Sequence, residues 1–171
     1  MSTQTKYAYL AGLMDGEGCL TICRDDRTRI GKSMSYRNLI TIANTDLSLM
    51  KWLKQTFGGN YYLHKKTLKH AHEKSLFTWR LTRREEIEKV LLAVMPYLRI
   101  KKQQAKVLLE FVRIPEMVHC AEYRTELFLR IKELKHKDSV TTNMMSTSQE
   151  VKIESELHGD MQSAPAVMQT A

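Results

Sequence analysis

The stretch that decides the fold reads LAGLMDGEG and occupies residues 10–18. Leu10, Leu13 and Met14 recur within it at the spacing of one helix face, so they form an apolar stripe. We therefore predict a helix that runs from Thr3 to about Gly16.

The same helix carries a second stripe that has no bulky side chains. Ala8, Gly12 and Gly16 are four residues apart, so they lie on one helix face. A glycine weakens a helix by roughly 1 kcal/mol relative to alanine. Close approach of another backbone is the usual compensation, and the stripe is therefore predicted to be a packing face.

Two segments after this helix alternate between apolar and polar side chains. They are Cys19–Arg24, which includes Ile22, and Arg37–Ala43, which includes Ile42. Alternation at period two is typical of a strand with one buried face. The segment between them, Asp25–Ser35, is polar and is predicted to be a long hairpin loop.

The remaining predicted elements repeat this order and then add helices. A second helix runs from Thr45-Asp46 to about Phe57, with an apolar side that includes Leu47, and Gly58-Gly59 ends it. The other elements are a hairpin of Tyr61–Lys66 with Leu76–Thr82, and helices at Arg84–Met95, Lys101–Val112 and Ala121 to about His136.

The order αββαββα predicts an α+β fold with one four-stranded antiparallel sheet and helices on one face. The other sheet face is polar and basic, which suits the major groove of duplex DNA. A solvated sheet face, which is normal for antiparallel sheets, is the alternative. The candidate DNA-binding residues are Thr21, Cys23, Arg27, Arg37, Thr41, Tyr62, His64, Lys66, Thr78 and Arg80.

Charge divides the 171-residue chain into two parts. Residues 1–137 hold 26 of the 27 Lys and Arg residues and 14 of the 19 Asp and Glu, a net of +12, whereas residues 138–171 carry −4. A basic body favours a polyanionic partner. We predict one domain at 1–137 and a disordered polar tail at 138–171.

The cellular compartment is indicated by three sequence features that are not evident: a disulfide framework, a signal peptide and a membrane-spanning run. Three cysteines form no disulfide framework, and we see neither a signal peptide nor an apolar run of membrane-spanning length. We therefore expect a soluble intracellular protein of the cytoplasm, nucleoid or an organelle matrix.

The stretch at residues 10–18 resembles the LAGLIDADG motif of homing endonucleases. It has both helix glycines, two acids at its end and a strand directly after it. The resemblance covers roughly Lys6–Val112 and includes Asn44-Thr45-Asp46 and the run LRIKKQQA at residues 98–105. It implies the αββαββα core and a site-specific endonuclease that hydrolyses phosphodiesters on both strands of double-stranded DNA.

One copy of the motif is present, and single-motif members of this family act as symmetric dimers. The chain is thus expected to form a homodimer on a pseudo-palindromic target. The Ala8, Gly12 and Gly16 stripe suits this, because two such helices can pack backbone to backbone across a two-fold axis. That packing would bring two copies of Glu17 together, and close carboxylates repel unless cations lie between them.

The resemblance also implies roles for individual residues. Glu17 would bind the metal, with the carbonyl of Gly16 as a further ligand; Mg²⁺ is expected, and Mn²⁺ is expected to substitute. Asp15 would be structural. Asp46 would either hold an active-site water or act as a plain helix N-cap. Lys101 would lie near the scissile phosphate, the alternative being an uninvolved surface lysine.

One departure and three rival functions accompany these expectations. Where relatives often have a basic residue early in the second helix, this chain has Met50 and then Lys51. The rivals are an intron RNA maturase, a DNA-binding protein that has lost catalysis, and an enzyme unrelated to nucleic acids. The last is disfavoured because no nucleotide-binding loop, nucleophile elbow or metal-binding histidine cluster is evident.

Overall fold

The computed structural model describes residues 2–25, 35–64, 74–115 and 121–136. The chain divides into two units, Met1–Leu134 and Lys135–Ala171, and only residues 135 and 136 of the second unit are described. The predicted tail at 138–171, both hairpin turns, Arg27 and Lys66 lie outside the described residues.

The first helix and the strand after it form as predicted. Helix α1 (Thr3–Glu17) begins at the N-cap Ser2, whose hydroxyl accepts a hydrogen bond from the Thr5 amide. Gly18 ends the helix and starts β1, and its backbone passes close to the preceding turn. A Cβ on Gly18 would lie 2.6 Å from the carbonyl oxygen of Met14, so no larger residue fits there without a shift.

Four strands form a single antiparallel sheet, as the sequence predicts. They are β1 (Gly18–Asp25), β2 (Ser35–Asn44), β3 (Asn60–Leu63) and β4 (Phe77–Leu81), in the spatial order β1-β2-β4-β3. The observed β3 and β4 are shorter than the predicted strands Tyr61–Lys66 and Leu76–Thr82, and residues 65–73 between them lie outside the described part of the chain.

The helices follow the predicted order and make the fold α+β. They are α2 (Leu47–Phe57), α3 (Arg84–Val94), α4 (Lys102–Arg113) and α5, at residues 121–136. The turn Gly58-Gly59 ends α2, and both glycines have positive φ, 81° and 72°. That conformation is accessible to glycine with little strain.

The core lies between one sheet face and the helices. Leu20, Ile22, Ile40 and Ile42 are at most 2% exposed, which confirms the alternation predicted for β1 and β2. From the helical side, α1 contributes Leu10, Ala11 and Met14, all fully buried. One prediction was wrong: Leu47 is 37% exposed, because it is the first residue of α2 and precedes the turn that packs on the sheet.

Helix α5 packs against the end of the first hairpin. The Tyr36 hydroxyl lies 2.8 Å from the Thr125 hydroxyl, and the Tyr36 ring lies 5.7 Å from that of Phe128. The Arg24 guanidinium lies 5.9 Å from the Phe128 ring. The helix therefore supports the part of the sheet that carries Cys23 and Arg37.

Candidate functional site

The acids of the motif lie at the C-terminal end of α1 and have different surroundings. Glu17 is the last residue of the helix and is exposed. Among the described residues, no hydrogen bond or ion pair is found at its carboxylate. Glu17 is therefore available to a ligand at the surface.

Asp15, two residues earlier, has both carboxylate oxygens in use. Its Oδ2 accepts from the backbone N–H of Arg99 at 2.8 Å, and its Oδ1 accepts from that of Lys101 at 2.9 Å. These bonds fasten the segment between α3 and α4 to the end of α1. They agree with the structural role that the resemblance implies for Asp15.

Lys101 is attached to the same helix end through its side chain. Its Nζ donates to the carbonyl oxygens of Met14 at 2.9 Å and Asp15 at 2.7 Å. A cation at a helix C-terminus is stabilised by the helix dipole. The half-buried lysine is therefore bonded to α1, and its positive charge lies at the helix end that carries Glu17.

Asp46 caps α2, as one of its two predicted roles requires. Its Oδ1 accepts from the Ser48 amide at 2.7 Å, the Ser48 hydroxyl at 2.6 Å and the Leu49 amide at 3.1 Å. The Ser48 hydroxyl, followed by the two amides, holds the pKa of Asp46 below its usual value. An exposed carboxylate with a lowered pKa stays charged at neutral pH.

Sheet register places this cap at the same end of the sheet as the motif acids. Gly18 pairs with Ile42, so the start of β1 lies beside the last residues of β2. Two residues beyond β2, the Asp46 amide donates to Asn44 Oδ1 at 2.9 Å. The start of α2 and the end of α1 therefore lie at the same end of the sheet.

A metal site is not complete within the described part of one chain. No three His, Cys, Asp or Glu side chains come together there in a way that would hold a metal ion. Glu17 offers carboxylate oxygens and Gly16 a carbonyl oxygen, which are the hard ligands that Mg²⁺ prefers. The chemistry of these oxygens is thus compatible with a hard divalent cation.

The outer face of the sheet brings most of the predicted DNA-binding residues together. Cross-strand pairing aligns Cys23 with Arg37, Thr41 with Arg80, and Tyr62 with Thr78. The side chains that line this face are exposed or half-buried. The predicted residues found on it are Thr21, Cys23, Arg37, Thr41, Tyr62, His64, Thr78 and Arg80.

Side-chain contacts connect β3 and β4 on this face. The His64 ring lies 2.6 Å from the Thr78 hydroxyl, and the Arg80 guanidinium lies 5.6 Å from the centre of the Tyr62 ring. Asn60 pairs with Arg80 on the same face and was not among the predicted residues. The sheet register shows that Asn60 belongs to this face, whereas the predicted strand began one residue later, at Tyr61, and so excluded Asn60.

No residue that the structure describes covers the glycine stripe of α1. Gly12 and Gly16 are exposed, and no described atom lies within 4 Å of a Cβ built on either one. Ala8 is half-buried on the same helix face. The packing partner that is expected for this stripe is therefore not supplied by the described residues of the same chain.

No helix in the described residues combines the length and apolar character that a membrane crossing requires.

No curated protein sequence matches the chain. Among solved structures, the archaeal intron-encoded homing endonuclease I-Vdi141I, complexed with DNA, has a TM-score of 0.62 and 11% identity over 78% of this chain and 86% of that chain. The homing endonuclease I-CvuI, in complex with target DNA, has a TM-score of 0.57 and 19% identity over 80% and 82%. The homing endonuclease I-TnaI has a TM-score of 0.55 and 16% identity over 77% and 97%.

These structural likenesses concern the fold, and the sequence itself gives the family. The model of the family described as LAGLIDADG endonuclease matches residues 10–118, which is well over half of the chain and includes the whole motif. The chain belongs to the LAGLIDADG endonuclease family.

Proposed function

We propose that this chain is a site-specific endonuclease that cuts both strands of a DNA duplex, works as a symmetric homodimer and depends on a divalent metal. The observation that carries the proposal is the exposed Glu17 at the end of α1, next to the uncovered stripe of Gly12 and Gly16. Cleavage and dimerisation would thus use adjacent parts of one helix.

Dimerisation would occur through the glycine stripe. With no side chain on Gly12 or Gly16, the α1 helices of two molecules can approach backbone to backbone, which larger residues would prevent. A two-fold axis through this contact brings the C-terminal ends of both helices together. Each molecule then supplies one Glu17, and the two sheets face the two halves of a pseudo-palindromic target.

Divalent metal would be held by both copies of Glu17 with the carbonyl of Gly16. Mg²⁺ is the proposed ion and Mn²⁺ a substitute, since both accept oxygen ligands. A bound ion supplies charge stabilisation to phosphodiester hydrolysis and lowers the pKa of a bound water. As support, structures of the relative I-CvuI hold target DNA in the presence of 2 mM Mg, with the DNA not cleaved, or of 2 mM Ca.

The chain's own groups position the reaction. The Lys101 ammonium, held by two carbonyl oxygens of α1, adds positive charge where negative charge develops on the phosphate. Asp46 uses only Oδ1 in its cap bonds, so its other oxygen can accept a hydrogen bond from the attacking water. Asp15 keeps Lys101 in place by accepting a hydrogen bond from the backbone N–H of Lys101 itself.

Target recognition is assigned to the outer face of the sheet. A sheet face can enter the major groove, where Arg reads guanine and Thr contacts either polar base edges or the thymine methyl group. Among the described residues, Arg37 and Arg80 are the exposed arginines of this face. The DNA substrate favours an intracellular compartment that contains DNA, such as a nucleoid or an organelle matrix, and the odd count of three cysteines agrees with a reducing one.

The test is a selection from a library of duplex sites. The protein is incubated with the library in Mg²⁺, and the cut ends are sequenced; the proposal expects one pseudo-palindromic site with short 3′ overhangs on both strands. Binding without cleavage would indicate an inactive DNA-binding relative. Preference for folded intron RNA over every duplex would indicate a maturase.

A further inference from the structure

A cavity of about 320 Å³ opens at the start of the outer strand β3. It lies between the last turn of α2, the start of β3, the end of β4 and the start of α3. Glu17 is found at the opposite end of the strands. Polar and charged side chains line it. Those that matter for its chemistry are Lys54, Asn60, Arg80, Thr82, Arg83 and Glu86.

The turn Gly58-Gly59 forms one wall of this cavity and is fixed on both sides. The indole Nε1 of Trp79 donates to the carbonyl oxygen of Gly58 at 2.9 Å. A Cβ on Gly59 would lie 2.4 Å from the carbonyl oxygen of Arg80, and one on Gly58 would lie 3.1 Å from the Glu86 carboxylate. These contacts therefore hold the Gly58-Gly59 turn close to β4, and they leave the interior of the cavity open.

The charges in the cavity favour an anion. Lys54, Arg80 and Arg83 contribute three positive charges, against one carboxylate, Glu86. Glu86 Oε1 accepts from Arg83 at 3.4 Å, and the Arg83 side chain is 78% exposed. An exposed guanidinium at this distance from its carboxylate can turn toward a ligand with little loss, because surface ion pairs of this kind contribute little.

The position of the cavity points to the sugar–phosphate backbone of DNA. Strands lie about 4.8 Å apart, so the four-stranded sheet is about 14 Å wide, close to the width of the major groove, about 12 Å. Outer strands therefore lie near the groove walls, where the phosphates run. Because Tyr62 and Arg80 line the cavity and also belong to the proposed DNA-binding face, the two surfaces are continuous.

We propose that this cavity binds a backbone phosphate of the DNA target, with Lys54 and Arg83 as its principal cations. This proposal rests on the proposed function, since it assumes that the outer sheet face binds duplex DNA. Such a contact would add affinity and fix the register of the protein on the duplex, but it would not discriminate between bases.

The experiment measures binding of one cognate duplex and of several single-base variants between 50 and 200 mM salt. The test protein carries Lys54→Gln and Arg83→Gln. The charge-matched control carries Lys89→Gln and Lys106→Gln, two exposed lysines of α3 and α4. A third protein, Glu86→Gln, removes the anion from the cavity.

Each lost phosphate contact lowers the salt slope by about 0.9, and a symmetric dimer loses two such contacts. Raising the salt from 50 to 200 mM weakens binding by some factor in each protein. For the test protein this factor should be about 12 times smaller than for wild type, and equally so for all duplexes. The control should keep the wild-type slope. Glu86→Gln should bind more tightly than wild type, which simple loss of a structural ion pair would not produce.

Two results would overturn the cavity proposal while leaving the proposed function standing. One is a wild-type slope for the test protein with normal binding; the other is a loss confined to particular base pairs, which would indicate base readout. Failure of the wild-type protein to bind any duplex would overturn both proposals. Thermal unfolding of each variant identifies loss of binding that is caused by loss of the fold.

Discussion

Replacing Asp15 by Asn tests whether the two acids of the motif have separate tasks. The Asp15 carboxylate accepts two backbone N–H bonds, at 2.8 Å from Arg99 and at 2.9 Å from Lys101. Asparagine keeps one acceptor oxygen and places an NH₂ group against the other N–H. One charge-assisted bond is then lost, and such bonds contribute roughly 1.5–3 kcal/mol each.

Because Asp15 is only half-buried, water compensates part of that loss, and we expect a destabilisation of about 2 kcal/mol. In a protein of this size the melting temperature should fall by about 4–8 °C. The assay is thermal unfolding of wild type, Asp15→Asn and Glu17→Gln without metal. Glu17→Gln should unfold at the wild-type temperature, since its carboxylate has no partner among the described residues. Equal unfolding temperatures for Asp15→Asn and wild type would refute the structural role of Asp15.

Three other predictions concern the dimer, base readout and the cap of α2. Gly12→Leu should separate the α1 helices of the two molecules, giving a monomer by sedimentation that no longer cuts both strands; a dimer that still cuts would place the interface elsewhere. Replacing Arg37 or Arg80 by Gln should relax specificity at individual base pairs, by about 1–3 kcal/mol for a bidentate contact to guanine, whereas a uniform loss in binding assays would mark a phosphate contact. Asp46→Ala should lower stability at neutral pH. Because the folded pKa of Asp46 is depressed, its cap stabilises the protein above the usual aspartate pKa and is lost as pH falls through the lowered value, so urea melts of variant and wild type should converge in acid and not at neutral pH.

Local patterns predicted the elements of this fold because each element's periodicity reflects the surface that it buries. The alternation around Ile22 and Ile42 reports one covered sheet face, and the structure shows both side chains buried. Leu47 was predicted wrongly for a related reason. Its spacing fits the apolar side of α2, but spacing does not reveal that the first residue of a helix lies beyond the core.

The arrangement of the candidate site could be predicted only in part. The resemblance named Glu17, Asp46 and Lys101; the structure places Glu17 and the Lys101 ammonium at the C-terminal end of α1, and Asp46 at the start of α2, at the same end of the sheet. The bonds from Asp15 and Lys101, however, connect residues that are 84 to 87 apart in sequence. No local periodicity encodes contacts over such separations, and the cavity beside Lys54 likewise depends on how α2, β4 and α3 assemble.

Glu17→Gln is the substitution that tests the central claim most directly. It keeps the size of the side chain and much of its hydrogen bonding, but it removes the charge proposed to hold the metal. Binding depends on the basic sheet face, so affinity for the target in Ca²⁺ should stay near that of wild type or rise slightly. A cleavage time course in Mg²⁺ on the same duplex should show a rate lower by orders of magnitude. A correctly folded Glu17→Gln protein that cuts at the wild-type rate would contradict the account.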